Sequence, residues 1–304
     1  MRISSIDIGT NTILLLIADA NSNGIVKVIH DEQIIARLGK GVDEHRVINQ
    51  ETFRRVADFL RSYHNTSRNL QSEKIIAVGT SALRDAANKK EFCEFILHNV
   101  GINIQILSGD DEAEWTCRGA VIGIDAVPES FTVLDIGGGS TEIISCIRSR
   151  ITHKVSLDIG SVRITERILR GSPPTSQKIA EARRFIRDHF ETLDLFQNGV
   201  LFAIGVAGTL TTLAAMQLQL TQYDPKRVHG YELHYDDVLQ SFSLLRGKSI
   251  DEIKSIPQIS AGRSDIIFAG VIILLEFMEA AGLKKITVSD RGLRYGIVLR
   301  EIQR

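Results

Sequence analysis

One motif occurs twice in this chain, and that repetition constrains the fold more than any other feature. Ile6-Asp7-Ile8-Gly9-Thr10-Asn11-Thr12 is echoed by Leu134-Asp135-Ile136-Gly137-Gly138-Gly139-Ser140-Thr141, with 128 residues between the aspartates. Each copy runs into a β-rich segment. A second pair follows in the same order, Ile76-Ala77-Val78-Gly79-Thr80-Ser81 and Phe202-Ala203-Ile204-Gly205-Val206-Ala207-Gly208-Thr209, with Gly79 and Gly205 126 apart. Two matched signals at nearly one offset indicate a duplicated domain, and 304 residues leave room for two. Gly123, Pro128 and Glu129 interrupt the pattern at the junction. The domains are therefore expected over 1–123 and 124–304, with the last helix, about 292–304, free to pack back on the first.

Between those turns, short β-branched runs alternate with amphipathic stretches, which predicts mixed α/β layers. Strands are expected over 3–8, 12–19, 24–30, 74–78, 103–107, 131–136, 140–147, 150–156, 199–204 and 285–289. Helices are expected over 50–65, 81–100, 111–122, 175–191, 210–216, 236–245, 263–281 and 292–301. The longest apolar runs, such as 13–18, stop far short of the ~20 residues that cross a bilayer. With 36 Lys plus Arg against 37 Asp plus Glu, neither half carries the positive excess of a nucleic-acid binder. Cys93, Cys117 and Cys146 stand far apart and read as reduced thiols of a cytoplasmic protein.

A strand that ends in Asp-x-Gly, turns, and continues as a second strand presents backbone amides at its tip. Such amides cradle phosphate oxygens, with glycine permitting close approach and Ser or Thr hydroxyls adding donors. An aspartate at the root repels phosphate, so its chemical use is to hold Mg2+ that bridges carboxylate and phosphate. The structural alternative, that Asp7 and Asp135 only shape turns, loses ground because the motif recurs at repeat spacing. No GxxxxGK[ST] occurs, and Gly137-Gly138-Gly139 leads into a strand rather than into a dinucleotide-binding helix.

The Gly79 and Gly205 turns lead instead into helices, whose N-termini favour anions. Arg84, one turn into the first of them, either reaches the same anion or is a solvated surface charge. The run Ser108-Gly109-Asp110-Asp111-Glu112-Ala113-Glu114 starts another helix with four acids in five residues. Ser108 with Asp111 reads as a capping box, or one of the acids is the base that takes a proton from an attacking water. The histidines are scattered, with His229 alone beside a loop tip, and Trp115 and the tyrosines form no stacking platform for single strands.

The succession IDIGTNT, GTSALRDAAN, LSGDDEA, LDIGGGSTEI, SLDIGSVR, GVAGTLTTLA and SDRGLRYG, from Asp7 to Gly296, resembles the exopolyphosphatase/guanosine pentaphosphate phosphatase (Ppx/GppA) family of the actin-like ATPase superfamily. The resemblance implies an α/β protein of two ribonuclease-H-like (actin-like) domains with an interdomain cleft. It implies that Asp7, Gly9, Thr10 and Asn11 form one phosphate hairpin and Asp135, Gly137, Gly138, Gly139, Ser140 and Thr141 the other. Ser81, Arg84, Gly208 and Thr209 would also bind phosphate, Asp7, Asp135 and Glu142 would organise Mg2+, and Glu112 would be the catalytic base. Asp111 departs from the family's first glutamate, Glu114 stands where a basic residue is common, and Val206-Ala207 replaces smaller or polar residues.

The expected activity is Mg2+-dependent release of terminal orthophosphate from inorganic polyphosphate by in-line attack of water. Hydrolysis of the 5′ γ-phosphate of pppGpp, alone or alongside, is the alternative, and a phosphate- or nucleotide-binding sensor with little turnover is the alternative of a different class. Glu112 weighs against the sensor, because binding needs no base. A polyphosphate chain carries about one negative charge per phosphate and calls for extra cations. Arg163, Arg263 and Arg294 are the candidates, against their reading as ordinary surface charges. No nucleic-acid or membrane partner is expected, and a homodimer is left open.

Overall fold

Both copies of the repeated motif close antiparallel hairpins, and each hairpin opens a sheet of the same layout. The computed structural model describes residues 1–148, 150–193 and 200–303. Its strands are β1 (Arg2–Ile8), β2 (Thr12–Asn21), β3 (Gly24–Ile35), β4 (Lys74–Gly79), β5 (Ile104–Ile106), β6 (Ser130–Ile136), β7 (Thr141–Ile147), β8 (Arg150–Leu157), β9 (Ala203–Val206), β10 (Glu232–His234) and β11 (Lys285–Val288). Its helices are α1 (Val42–His45), α2 (Gln50–Asn69), α3 (Ser81–Asp85), α4 (Lys89–Val100), α5 (Gly109–Ala120), α6 (Ser161–Arg167), α7 (Ser176–Glu191), α8 (Ala207–Gln217), α9 (Pro225–Val228), α10 (Tyr235–Leu245), α11 (Ile250–Lys254), α12 (Ile267–Ala281) and α13 (Leu293–Ile302). They divide into two units, Met1–Gly119 with Gly292–Arg304, and Ala120–Arg291. The chain thus leaves the first unit after Gly119 rather than Gly123, and α13 belongs to the first.

In the first unit the sheet order is β3-β2-β1-β4-β5, with β1, β4 and β5 parallel and β2 antiparallel to both of its neighbours, β1 and β3. Strand alternation sends neighbouring side chains to opposite faces. Ile6, Ile8 and Ala77 join Phe53, Leu60, Phe92 and Ile96 of α2 and α4 in one core. Helix α2 supplies Phe53, Val56, Ala57, Leu60 and Tyr63 at the three-and-four spacing of an amphipathic helix. Its first turn is capped by Asn49, which accepts from the Thr52 N–H at 2.8 Å. Val78, between Ala77 and Gly79, faces the other way and packs with Leu107, Leu293 and Ile297 under α5 and α13. There α13 meets α5 through bare backbone: a Cβ on Gly119 would lie 2.1 Å from the Gly292 carbonyl oxygen, and one on Gly296 1.8 Å from that of Trp115.

The second unit carries the order β8-β7-β6-β9-β11-β10, whose first five strands repeat the order and directions of the first sheet. Both units are ribonuclease-H-like, as the resemblance implied. The strand register corrects the spacing of the repeat. Asp7 pairs with Val78 and Asp135 with Val206, so one offset of 128 serves throughout, Gly79 matches Ala207, and Ser81 matches Thr209. The glycine pair 126 apart is two residues out of register.

Helix α12 is apolar all round and buried from Ile267 to Met278, which makes it the spine of the second core, packed by α6, α7, α8 and α10. Truncating Ile272, Leu274 or Leu275 to alanine there costs about 2–5 kcal/mol. Its one buried carboxylate, Glu276, is held by the Arg183 Nε–H and, at 3.0 Å, the Arg187 Nε–H, both from α7, because a buried charge persists only with partners.

Three local expectations differ from the structure. The helix expected over 81–100 is broken into α3 and α4 at Ala86–Asn88. Asn88 bonds both the N–H and the carbonyl of Ile48 through its side-chain amide, and the Ala87 N–H reaches the Arg46 carbonyl, so distant backbone claims the groups a continuous helix would use. The strand expected from Gly199 is observed as Ala203–Val206, and Gly199 lies outside the described residues. Helix α6, which follows the Gly160 turn, was not anticipated.

Candidate active site

In open α/β sheets ligands bind beyond the carboxyl ends of parallel strands, and each unit gathers its motif residues there. In the first unit β1 delivers Gly9, Thr10 and Asn11, β4 delivers Thr80 and Ser81, and β5 leads through Leu107 to Glu112. The Gly9 N–H closes the hairpin on the Thr12 carbonyl at 3.0 Å. The hydroxyls of Thr10 and Ser81 hydrogen-bond at 2.8 Å, so the tip of the hairpin is tied to the start of α3. Ser108 caps α5 reciprocally with Asp111: its hydroxyl accepts the Asp111 N–H at 3.0 Å and donates to that carboxylate at 2.7 Å. The capping role thus falls to Asp111, and Glu112 turns inward. Its side chain is 9% exposed and accepts from Arg84 Nη1 at 2.8 Å, while the same nitrogen reaches the Leu107 carbonyl at 3.1 Å.

Asp7 shares the Val78 face of the sheet, away from Ile6 and Ile8. One of its carboxylate oxygens, Oδ1, is buried without a hydrogen-bond partner. Burial pushes this carboxyl up to about 7, with the Arg294 charge pulling the other way.

The second unit reproduces the hairpin. The Gly137 N–H meets the Ser140 carbonyl at 3.0 Å, 128 residues after the Gly9–Thr12 bond. Asp135 and Glu142 are direct cross-strand partners, and buried Glu142 accepts from the Ser156 hydroxyl at 2.6 Å. The segment opening α6 braces the tip: the N–H groups of Ser161 and Val162 donate to the carbonyls of Gly137 and Gly138 at 2.9 and 2.8 Å.

The sequence profile of the Ppx/GppA phosphatase family matches residues 16–304. The chain belongs to the Ppx/GppA phosphatase family. It is 34% identical over 316 residues to exopolyphosphatase 2 of Mycobacterium tuberculosis, with 98% of each chain covered. It also matches the crystal structure of the Aquifex aeolicus Ppx/GppA family member at a TM-score of 0.84 and 29% identity, covering 100% of this chain and 98% of that one. An exopolyphosphatase structure from Cytophaga hutchinsonii aligns at a TM-score of 0.90 and 26% identity, covering 100% and 98%.

As a Ppx/GppA phosphatase the protein is a hydrolase, and the family implies a divalent metal. The carboxylates fit one. Among the described residues no three His, Cys, Asp or Glu side chains form a metal cluster. An ion here would be held by one or two carboxylates and otherwise by phosphate and water oxygens, which is how Mg2+ is usually bound. In the first unit the unpartnered Oδ1 of Asp7, and in the second the cross-strand pair of Asp135 and Glu142, are suitable donors.

Several residues expected to touch phosphate are engaged elsewhere in this phosphatase. The Thr141 hydroxyl donates to the Ile159 carbonyl and is fully buried. Thr209 presses its hydroxyl on α12, where a Cβ on Gly270 would lie 2.1 Å from Oγ1. Arg163, 4% exposed, donates from Nε to the Gly139 carbonyl at 2.7 Å and lies 3.5 Å from Asp158, so it braces the hairpin from behind. Arg294 is paired with Asp31 at 3.1 Å and stacks 5.2 Å from the Tyr295 ring centre. Arg263 lies against Gly208, where an added Cβ would come 1.7 Å from its Nη1. The bare Gly208 thus accommodates a guanidinium. These long-range partners leave no mark on local sequence.

Two features were missed. His229, half-buried beside Asp290 at 3.4 Å and Ser289 at 3.4 Å, has a buried Nε2 with no hydrogen-bond partner. Ala207 has φ 70, a left-handed conformation at the position equivalent to Gly79, and Val206-Ala207 in place of small residues was its only sequence signal. Among the described residues no helix is long and apolar enough to cross a membrane.

Proposed function

We propose that this phosphatase removes terminal orthophosphate from inorganic polyphosphate, as the name of its Mycobacterium tuberculosis relative suggests. The observation that carries the reading is the inward-turned carboxylate of Glu112, held by Arg84 beyond the end of β5 while Asp111 does the capping. A protein that only binds phosphate has no use for a buried base there. Glu112 takes a proton from the attacking water, whose oxygen forms the new bond to the terminal phosphorus as the bond to the bridging oxygen breaks. The products are orthophosphate and a chain shorter by one. Hairpin amides at the tips, Thr10–Asn11 and Gly138–Gly139, donate to phosphate oxygens as charge develops on them. Mg2+, when bound through Asp7, Asp135 or Glu142, supplies charge neutralisation at those oxygens. Arg84 is shared between Glu112 and the phosphate, so it orients the base as well as the substrate. Free thiols at Cys93, Cys117 and Cys146 suit the cytoplasmic location we assign to it.

The deciding experiment is a phosphate-release assay on long polyphosphate, tripolyphosphate and pppGpp at equal ionic strength. Long polyphosphate should have the highest kcat/KM, with a KM that climbs steeply with salt as expected of a linear polyanion. A higher kcat/KM for pppGpp would transfer the activity to the nucleotide.

A further inference from the structure

The strand pairings set three side chains of the second unit in one row. Asp135 on β6 faces Glu142 on β7, and Glu142 in turn faces Ser156 on β8. Residues directly opposite one another point to the same face of a sheet and interact. Glu142 is 1% exposed, and the Ser156 hydroxyl donates to its Oε1 at 2.6 Å. The matching row of the first unit, 128 residues earlier for its first two members, reads Asp7, Leu14 and Gln33 across β1, β2 and β3. The aspartate is kept, while leucine stands for the glutamate and glutamine for the serine.

Leucine in the middle of the first row shows that this sheet layout needs neither a carboxylate nor a hydroxyl there. A buried carboxylate is costly and persists only with partners, so the Glu142–Ser156 pair is not imposed by the architecture. A hydroxyl on β8 also has backbone to turn to: Thr152, earlier on the same strand, donates to the Ser145 carbonyl at 3.1 Å. Ser156 gives its proton to the carboxylate instead.

We propose that Ser156 is a positioning residue for the metal, setting the plane of the Glu142 carboxylate through its hydrogen bond to Oε1. Mg2+ demands near-octahedral oxygen geometry, and a ligand carboxylate already held by a neighbouring hydroxyl meets that demand with less ordering left to do on binding. The asymmetry of the two rows assigns this role to the second unit, where the aspartate faces a second carboxylate rather than a leucine. The inference rests on the reading of Glu142 as a metal ligand.

The test measures Mn2+ binding by electron paramagnetic resonance, with Mn2+ standing in for Mg2+ because both take oxygen ligands. It compares wild type, Ser156→Ala, Ser156→Thr, Glu142→Gln and the variant carrying both Ser156→Ala and Glu142→Gln, with the Mg2+ dependence of phosphate release alongside. Ser156→Ala should raise the Mn2+ dissociation constant about tenfold or more, the usual cost of losing such a supporting bond, and added Mg2+ should recover lost rate. Ser156→Thr, which keeps a hydroxyl, should bind more tightly than Ser156→Ala. In the Glu142→Gln background the serine should no longer matter, since a residue that acts through another is silent once the other is gone. If Glu142→Gln weakens Mn2+ binding and Ser156→Ala does not, or if Ser156→Ala costs as much in the Glu142→Gln background, the inference is overturned and the metal reading stands. Wild-type affinity in Glu142→Gln overturns the metal reading of Glu142 and this inference together.

Discussion

Arg84 and Glu112 face each other across 2.8 Å, a guanidinium from the helix after β4 on a carboxylate from the helix after β5. The pair gives a buried acid a fixed orientation and a charge partner, and it joins two residues 28 apart in sequence. Glu112→Gln should lower kcat at least ~100-fold while leaving polyphosphate binding measurable, since general-base catalysis supplies about 10² to 10⁴. Near-normal turnover in the folded variant would return Glu112 to a structural role. Arg84→Met should lower stability by about 1–3 kcal/mol as well as turnover, because it removes a charge-assisted hydrogen bond from a buried carboxylate, and a melt of the variant measures that part separately.

Asp135 and Glu142 oppose one another across the second hairpin. Asp135→Asn or Glu142→Gln should raise the Mg2+ concentration for half-maximal rate, by about tenfold if each supplies one ligand. A wild-type Mg2+ titration in both variants would remove the carboxylates from the metal. Chelation with EDTA should abolish turnover in the parent enzyme.

Burial is the main cause that pushes the His229 imidazole below its ordinary value of 6.5, the Arg291 charge lowers it further, and Asp290 pulls it up. A base whose folded value is depressed binds fewer protons folded than unfolded. Its contribution is therefore neutral above pH 6.5 and destabilising as the pH falls from 6.5 through the folded value. Denaturant melts between pH 8 and 5 should show that decline, and His229→Gln should flatten it. An identical pH profile in the variant would assign the decline to other groups.

Ala207 sits at φ 70 with a side chain that the conformation disfavours. Ala207→Gly should relieve about 1–2 kcal/mol of backbone strain and give back about 0.5–1 in unfolded-state entropy. The expected net is a Tm roughly 1–3 °C higher, and a lowered Tm would show the alanine methyl to be a packing group.

Much of this architecture was legible in the sequence because it is local. Asp7-Ile8-Gly9 and Asp135-Ile136-Gly137 announce their hairpins through turn chemistry and strand alternation, Ser108 with Asp111 announces the cap of α5, and the apolar run of α12 announces a buried helix. What stayed hidden depends on partners far along the chain. Asn88 breaks a helix by bonding Ile48, 40 residues away. Arg163 and Thr141 are drawn from the phosphate side by the carbonyls of Gly139 and Ile159. The true register of the repeat follows from which residues pair across β1 and β4, and two glycines that look alike are a poor guide to it.

The first unit is written in two pieces of the chain, Met1–Gly119 and Gly292–Arg304, on either side of the second. A ribosome that has reached residue 119 has delivered every strand of the first sheet and none of α13. Leu293 and Ile297, which cover Val78 and Leu107, emerge only after the whole of Ala120–Arg291 has been made. The unit begun first is thus completed last, and its half-clothed sheet needs shelter from aggregation while the contiguous second unit folds. A premature stop codon in α13 would strike a domain whose whole sheet was made before the second unit began.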